Sequence, residues 1–151
     1  MKMNKKTIRD VDLSGKRVLM RVDFNVPIED GQVADDTRIV AAIPTIQAVL
    51  DQNPRAVILM SHLGRPKGEP DPKYSLRPVV PVLSEKLGAD IHFVEDTVGE
   101  EVHKTLDDLP QGAVVLLENT RFYPGEKAND PDFSRKLAAL GDIYVADAFG
   151  S

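Results

Sequence analysis

Two five-residue runs, AVILM at Ala56–Met60 and AVVLL at Ala113–Leu117, are apolar at every position. Successive side chains of a strand point to opposite sides of its sheet, so a strand with one wet face alternates polar and apolar residues. Runs without alternation belong to strands buried on both faces, the situation of a parallel sheet with helices above and below it. Short β-branched runs bounded by turn residues predict strands at Arg17–Val22, Ala56–Ser61, Asp90–Val94, Ala113–Glu118 and Asp142–Asp147.

Helical patterns fill the intervals. Asp36 is placed to cap a helix with Ile39, Ile43, Ile46 and Leu50 on one face, and Pro44 is expected to split that helix in two. The segment SLRPVVPVLSEKLG is predicted to open at Ser75, with Pro78 in its first turn and Gly88 as the stop, and Pro81 is expected to cost it a hydrogen bond. A weaker helix runs from Glu100 to Leu109. In DPDFSRKLAALG, Asp130 reads as cap, Pro131 as the first helical residue and Gly141 as the end. Strand and helix alternate, which predicts right-handed crossovers and a three-layer α/β/α fold with a mostly parallel, Rossmann-like sheet. The DGQVADD and RPKGEPDPKY stretches read as turn-rich loops.

Length and charge exclude several function classes. The 151 residues, 42% hydrophobic and 28% charged, suit one soluble domain with a real core. A net charge of −5 argues against nucleic acid and against anionic membrane surfaces, so any anion site must be local. There is no cysteine for disulfides or thiolate metal sites, and no apolar stretch long enough to be a leader or a membrane span, which makes a cytoplasmic protein the default.

In doubly wound sheets ligands bind beyond the carboxyl ends of the strands. There the chain sets Asp23 and Asn25 after the first strand, His62, Gly64 and Arg65 after the second, Asn119 and Arg121 after the fourth, and Asp147, Phe149 and Gly150 after the fifth. Arg38 lies in the first turn of the helix that follows the first strand. Three arginines and a histidine should therefore gather at one rim. Arginine presents a planar fork of donors matched to phosphate or carboxylate and stays charged. Asp23 would repel an anion, so it and Asn25 read as acceptors for a neighbouring hydroxyl. A small, hydroxylated, multiply anionic metabolite is implied.

Each of these residues has a plainer explanation when taken alone. An arginine after a strand is most often solvated, Asp23 and Asn25 could cap turns, and a single histidine is most often structural. Their common location is what favours a site. Lys67 could add charge to it. There is no G-x-x-x-x-G-K-[ST] loop, G-x-G-x-x-G fingerprint or G-x-S-x-G elbow, and His62, His92 and His103 stand on different elements, so no metal pair is indicated. Besides an enzyme, the residues alone leave open a noncatalytic sugar-phosphate or anion-binding module and a purely structural α/β domain.

The strings RVDFNVP, DDTRIVAAIPTI, SHLGRPKG, LLENTRFYPGEK and VADAFGS, in this order, resemble the N-terminal half of phosphoglycerate kinases across essentially all of the chain. The resemblance implies a glycolytic phosphotransferase with a carboxyl group as acceptor, moving a phosphoryl group between 1,3-bisphosphoglycerate and ADP to give 3-phosphoglycerate and ATP, with magnesium on the nucleotide. By motif, Asp23 and Asn25 would meet the hydroxyl region of the substrate, and His62, Arg65 and Arg121 would line the site for its 3-phosphate. Phe24, Leu63 and Gly64 would belong to the same substrate-binding set. Arg38 would meet the carboxyl end and act catalytically on the phosphoryl group in flight. Thr120 stands where the family usually carries an apolar residue.

The resemblance further implies that residues 1–151 are a single, incomplete N-terminal domain that binds the phosphoglycerate, with five of the six strands of the family's domain. The C-terminal domain, which holds ATP or ADP with Mg2+, is absent, so no nucleotide or metal site is expected within the chain, and it is expected to be inactive alone. Family members are usually monomeric. An uncovered sheet edge here favours self-association.

Overall fold

The computed structural model describes residues 12–64, 71–96, 100–122 and 131–146. Its main sheet is formed by β1 (Arg17–Arg21), β4 (Ala56–Met60), β5 (Ile91–Val94), β6 (Ala113–Leu117) and β7 (Ile143–Ala146), in the order β5-β6-β4-β1-β7. Every pairing in it is parallel. The two runs without alternation, β4 and β6, are neighbours in the interior of the sheet and buried at all five positions.

Helices α1 (Thr37–Leu50) and α2 (Val79–Leu87) cover one face, and α3 (Glu100–Asp107) and α4 (Pro131–Ala138) belong to the other. The period of two divides each strand between two cores. Val18, Met20, Val57, Leu59, Val114 and Leu116 pack with Ile39, Ile46, Val79 and Leu83, whereas Leu19, Ile58, Met60, Val115 and Leu117 pack with Val102, Leu106, Leu137 and Leu140. Each fully buried leucine or isoleucine contributes about 1.5–3 kcal/mol relative to exposure. This is the expected three-layer, Rossmann-like α/β architecture.

Several local expectations are corrected. Helix α1 is continuous through Pro44, because Pro44 is exposed and Val40, whose carbonyl it cannot serve, lies on the solvent side at 45% exposure. Asp36 precedes the helix but its side chain caps nothing; it pairs with Lys86 of α2 at 3.8 Å. Asp35 does the capping, accepting from Thr37 N at 2.9 Å and from Thr37 Oγ1 at 2.6 Å. In α2 the first helical residue is Val79, so Pro81 stands third, where a backbone N–H has no partner within the helix and its absence costs little. Gly88 does end α2, in a left-handed conformation with φ +72.

Part of the first turn-rich stretch is a ribbon rather than a loop. Strands β2 (Ile28–Glu29) and β3 (Gln32–Val33) pair antiparallel across Asp30 and Gly31, both with positive φ. An Asp-Gly pair between β-formers is the sequence signal for this turn. Asp130, expected as the cap of α4, lies outside the described residues. Among the described residues no helix is long and apolar enough to cross a membrane.

Candidate functional site

The connections leaving β1, β4 and β6 converge because main-chain and buried polar groups sew them together. Ser61, the residue after β4, is 1% exposed; its Oγ accepts from Phe24 N at 3.0 Å and donates to His62 O at 2.9 Å. Its carbonyl accepts from Thr120 N at 3.1 Å and from Thr120 Oγ1 at 3.2 Å. Thr120, polar where the resemblance expects an apolar residue, is fully buried and spends its hydroxyl on this junction.

On this framework the polar residues form one connected chain. Asn25 N donates to Asp23 Oδ1 at 3.1 Å, which closes a tight turn after β1. Arg38, the second residue of α1, donates from Nη1 to Asn25 O at 2.5 Å and lies 3.5 Å from Asp23 Oδ1. Asn25 Oδ1 accepts from Gly64 N at 2.9 Å. Gly64 O in turn accepts from Arg121 Nη1 at 3.4 Å. Arg38 and Arg121, distant in sequence, are thus the two ends of a path through Asn25 and Gly64.

Most of the predicted site residues are at this rim. Asp23, Asn25, His62, Gly64 and Arg121 are half-buried and Arg38 is exposed, so each can present atoms to solvent. Phe24 and Leu63 differ: their side chains are 0% and 3% exposed and belong to the core. Their main chain is also engaged, since Phe24 donates to Ser61 Oγ and accepts from Val26 N, and Leu63 both donates to and accepts from Asn119. Arg65, Lys67, Asp147, Phe149 and Gly150 lie outside the described residues.

A cleft of about 330 Å3 beside the rim is lined by Asn25, Val26, Pro27, Asp35, Thr37 and Arg38. The bond from the Thr37 hydroxyl, followed by that from its backbone N–H and the nearby Arg38 charge, holds the Asp35 carboxyl below its ordinary value against the opposing effect of desolvation. A larger cleft of about 700 Å3 lies beyond β5 and β6, lined among others by Asp71, Ser75, Arg77, Glu95, Asp96 and Glu118. Four carboxylates against one arginine give it the wrong sign for an anion. Chemistry, not size, selects the rim bearing Arg38 and Arg121.

Sequence reasoning missed the supports. Tyr74 carries no motif, and Ser61 was readable only as the last residue of a strand and the first of the SHLGRPKG string. A small polar residue closing an otherwise apolar buried strand is the signal for it. Among the described residues no group of three or more His, Asp or Glu is arranged to hold a metal ion.

Comparison with known proteins identifies the family to which the chain belongs. A model of the phosphoglycerate kinase family matches residues 8–151. A phosphoglycerate kinase of Fervidobacterium nodosum is 59% identical over 149 residues, covering 99% of this chain and 37% of that protein. Phosphoglycerate kinase 3, cytosolic, of Arabidopsis thaliana is 56% identical over 146 residues, covering 96% of this chain and 36% of its own length. Among solved structures, phosphoglycerate kinase from Coxiella burnetii superposes with a TM-score of 0.81 at 37% identity over 95% of this chain and 35% of that one. The chain therefore spans somewhat over a third of the relatives it matches. With a match along nearly its whole length and a shared fold, the chain belongs to the phosphoglycerate kinase family.

Proposed function

We propose that this chain is the phosphoglycerate-binding part of a glycolytic phosphoglycerate kinase, and that the rim after β1, β4 and β6 receives 3-phosphoglycerate or 1,3-bisphosphoglycerate. The observation that carries the reading is the path Arg38–Asn25–Gly64–Arg121, which ties two guanidinium groups from different elements to one rim. Arg121, with His62 and Arg65, takes the 3-phosphate. Asp23 and Asn25 accept from the hydroxyl. Arg38, on the exposed helix start, takes the carboxyl end and neutralises charge on the phosphoryl group during transfer.

Phosphoryl transfer asks for alignment and charge neutralisation more than for a protein nucleophile. Arginines held by main-chain carbonyls supply both, since their positions are set before substrate arrives. ATP or ADP with Mg2+ belongs to the nucleotide domain of a complete enzyme, where it supplies or receives the phosphoryl group. The chain by itself binds substrate without turning it over, in the cytoplasm as its relative named cytosolic suggests.

Calorimetric titration tests the reading. 3-Phosphoglycerate is expected to bind the chain saturably, and Arg38→Ala to weaken it at least about tenfold, the loss of one charge-assisted contact of about 1.5–3 kcal/mol. Equal affinity of the two proteins contradicts the site. ATP formed from 1,3-bisphosphoglycerate and ADP by the pure chain contradicts its inactivity.

A further inference from the structure

We propose that Asn119 is the positioning residue of the anion site, a role that rests on the reading of the site just given. Asn119 is 0% exposed and touches no ligand position; it acts through the groups it holds. A carboxamide has two N–H donors and an oxygen with two lone pairs. Asn119 uses all four. Nδ2 donates to Leu63 O at 2.8 Å and to Tyr74 O at 2.9 Å, and Oδ1 accepts from Leu63 N at 3.2 Å and from Arg121 N at 3.0 Å.

The partners explain the role. Leu63 is gripped at both of its main-chain polar groups, and it immediately precedes Gly64, the junction between Asn25 and Arg121. Tyr74 carries the ring that packs over Gly64. Arg121 is held at its own amide. One buried side chain thus fixes, relative to each other, the loop that receives Asn25 and the residue that supplies a guanidinium. The neighbouring Glu118 extends the same bracing towards α2, accepting from Leu76 N and Asn119 N on Oε1 and from Ser75 Oγ on Oε2.

Few other residues can do this. Leucine has the shape but none of the four polar functions, and a buried polar group deprived of its partner is costly. Aspartate keeps both acceptors but sets carboxylate oxygens against the carbonyls of Leu63 and Tyr74, which then have no donor. The loop before Gly64 would be pushed away while the remainder of the fold keeps its bonds.

The test compares Asn119→Asp and Asn119→Ala with Leu83→Ala, a core truncation in α2. Affinity for 3-phosphoglycerate is measured on folded protein by NMR titration, together with hydrogen exchange at the Gly64 and Arg121 amides. Both Asn119 variants are expected to bind at least about tenfold more weakly and to exchange faster at the Gly64 amide, and the alanine variant, which leaves Arg121 N without its acceptor, to exchange faster at the Arg121 amide as well. Leu83→Ala should lose stability yet bind like the parent. Should the alanine variant fail to fold, the near-isosteric aspartate carries the test, and its failure to fold as well counts against the proposal, as the mark of a purely structural residue. Unchanged affinity in the Asn119 variants, or an equal loss in Leu83→Ala, overturns the inference alone. A parent chain that takes up no 3-phosphoglycerate overturns the site reading and this inference with it.

Discussion

Gly64 lies against the ring of Tyr74 so closely that a Cβ on residue 64 would stand 2.5 Å from Tyr74 Cδ1 and 2.6 Å from Cε1. Gly64 also has φ +60, in the left-handed region that residues with a side chain avoid. Both conditions arise because the chain turns sharply after β4 while its N–H and C=O serve Asn25 and Arg121.

Gly64→Ala is accordingly expected to destabilise the chain by about 2–4 kcal/mol, from a left-handed penalty of about 1–2 kcal/mol and the displacement of the ring. Urea unfolding checks it. Adding Tyr74→Ala removes the clash but not the backbone penalty, so the Gly64→Ala effect measured in that background should shrink without vanishing. A full effect there would show that the ring is not what excludes a side chain.

The junction from α4 to β7 makes a second steric demand. A Cβ on Gly141 would lie 2.8 Å from Leu19 Cβ and 3.0 Å from Leu19 N, atoms of the interior strand β1 that cannot swing aside. Gly141→Ala should therefore shift β7 away from β1 and cost about 1–3 kcal/mol by urea unfolding. Cross-peaks between Val18 and Ile143, register partners in the sheet, should weaken in the same variant.

The cap of α1 gives a pH dependence of definite sign. Asp35 is held below its ordinary carboxyl value, chiefly by the Thr37 hydroxyl. A carboxyl with a lowered folded-state pKa contributes its stability above its unfolded value, and that contribution disappears as pH falls through the folded one. The urea midpoint should thus drop between neutral pH and the region below about pH 4, and drop less in Asp35→Asn. An identical fall in both proteins would remove Asp35 from the account.

The sheet was legible in the sequence because each of its strands is bounded by turn residues and two of them, Ala56–Met60 and Ala113–Leu117, cannot be half-exposed. Helix ends were less legible. Asp35 and Asp36 are chemically the same, and only the backbone decides which one reaches Thr37 N and which one pairs with Lys86. Pro44 and Pro81 were misjudged because a proline's cost depends on burial and on its place in the first turn, neither of which a local pattern fixes. The rim residues Asp23, Asn25, Arg38, His62 and Arg121 could be placed by the rule that loops at the carboxyl ends of parallel strands converge. What holds them could not. The bonds from Asn119 to Leu63 and Tyr74 cross 56 and 45 residues, and nothing local announces them.

In the proposed site, Arg38 and Arg121 serve one small acid. Urea unfolding of the parent chain, Arg38→Ala, Arg121→Ala and the double variant, each with and without 3-phosphoglycerate, tests it most directly. Ligand at about ten times the dissociation constant should raise parent stability by about 1.4 kcal/mol. Most of that gain is expected to disappear in either single variant, and the remainder in the double. A midpoint that stays put in the parent, or that rises equally in all four proteins, contradicts a shared site.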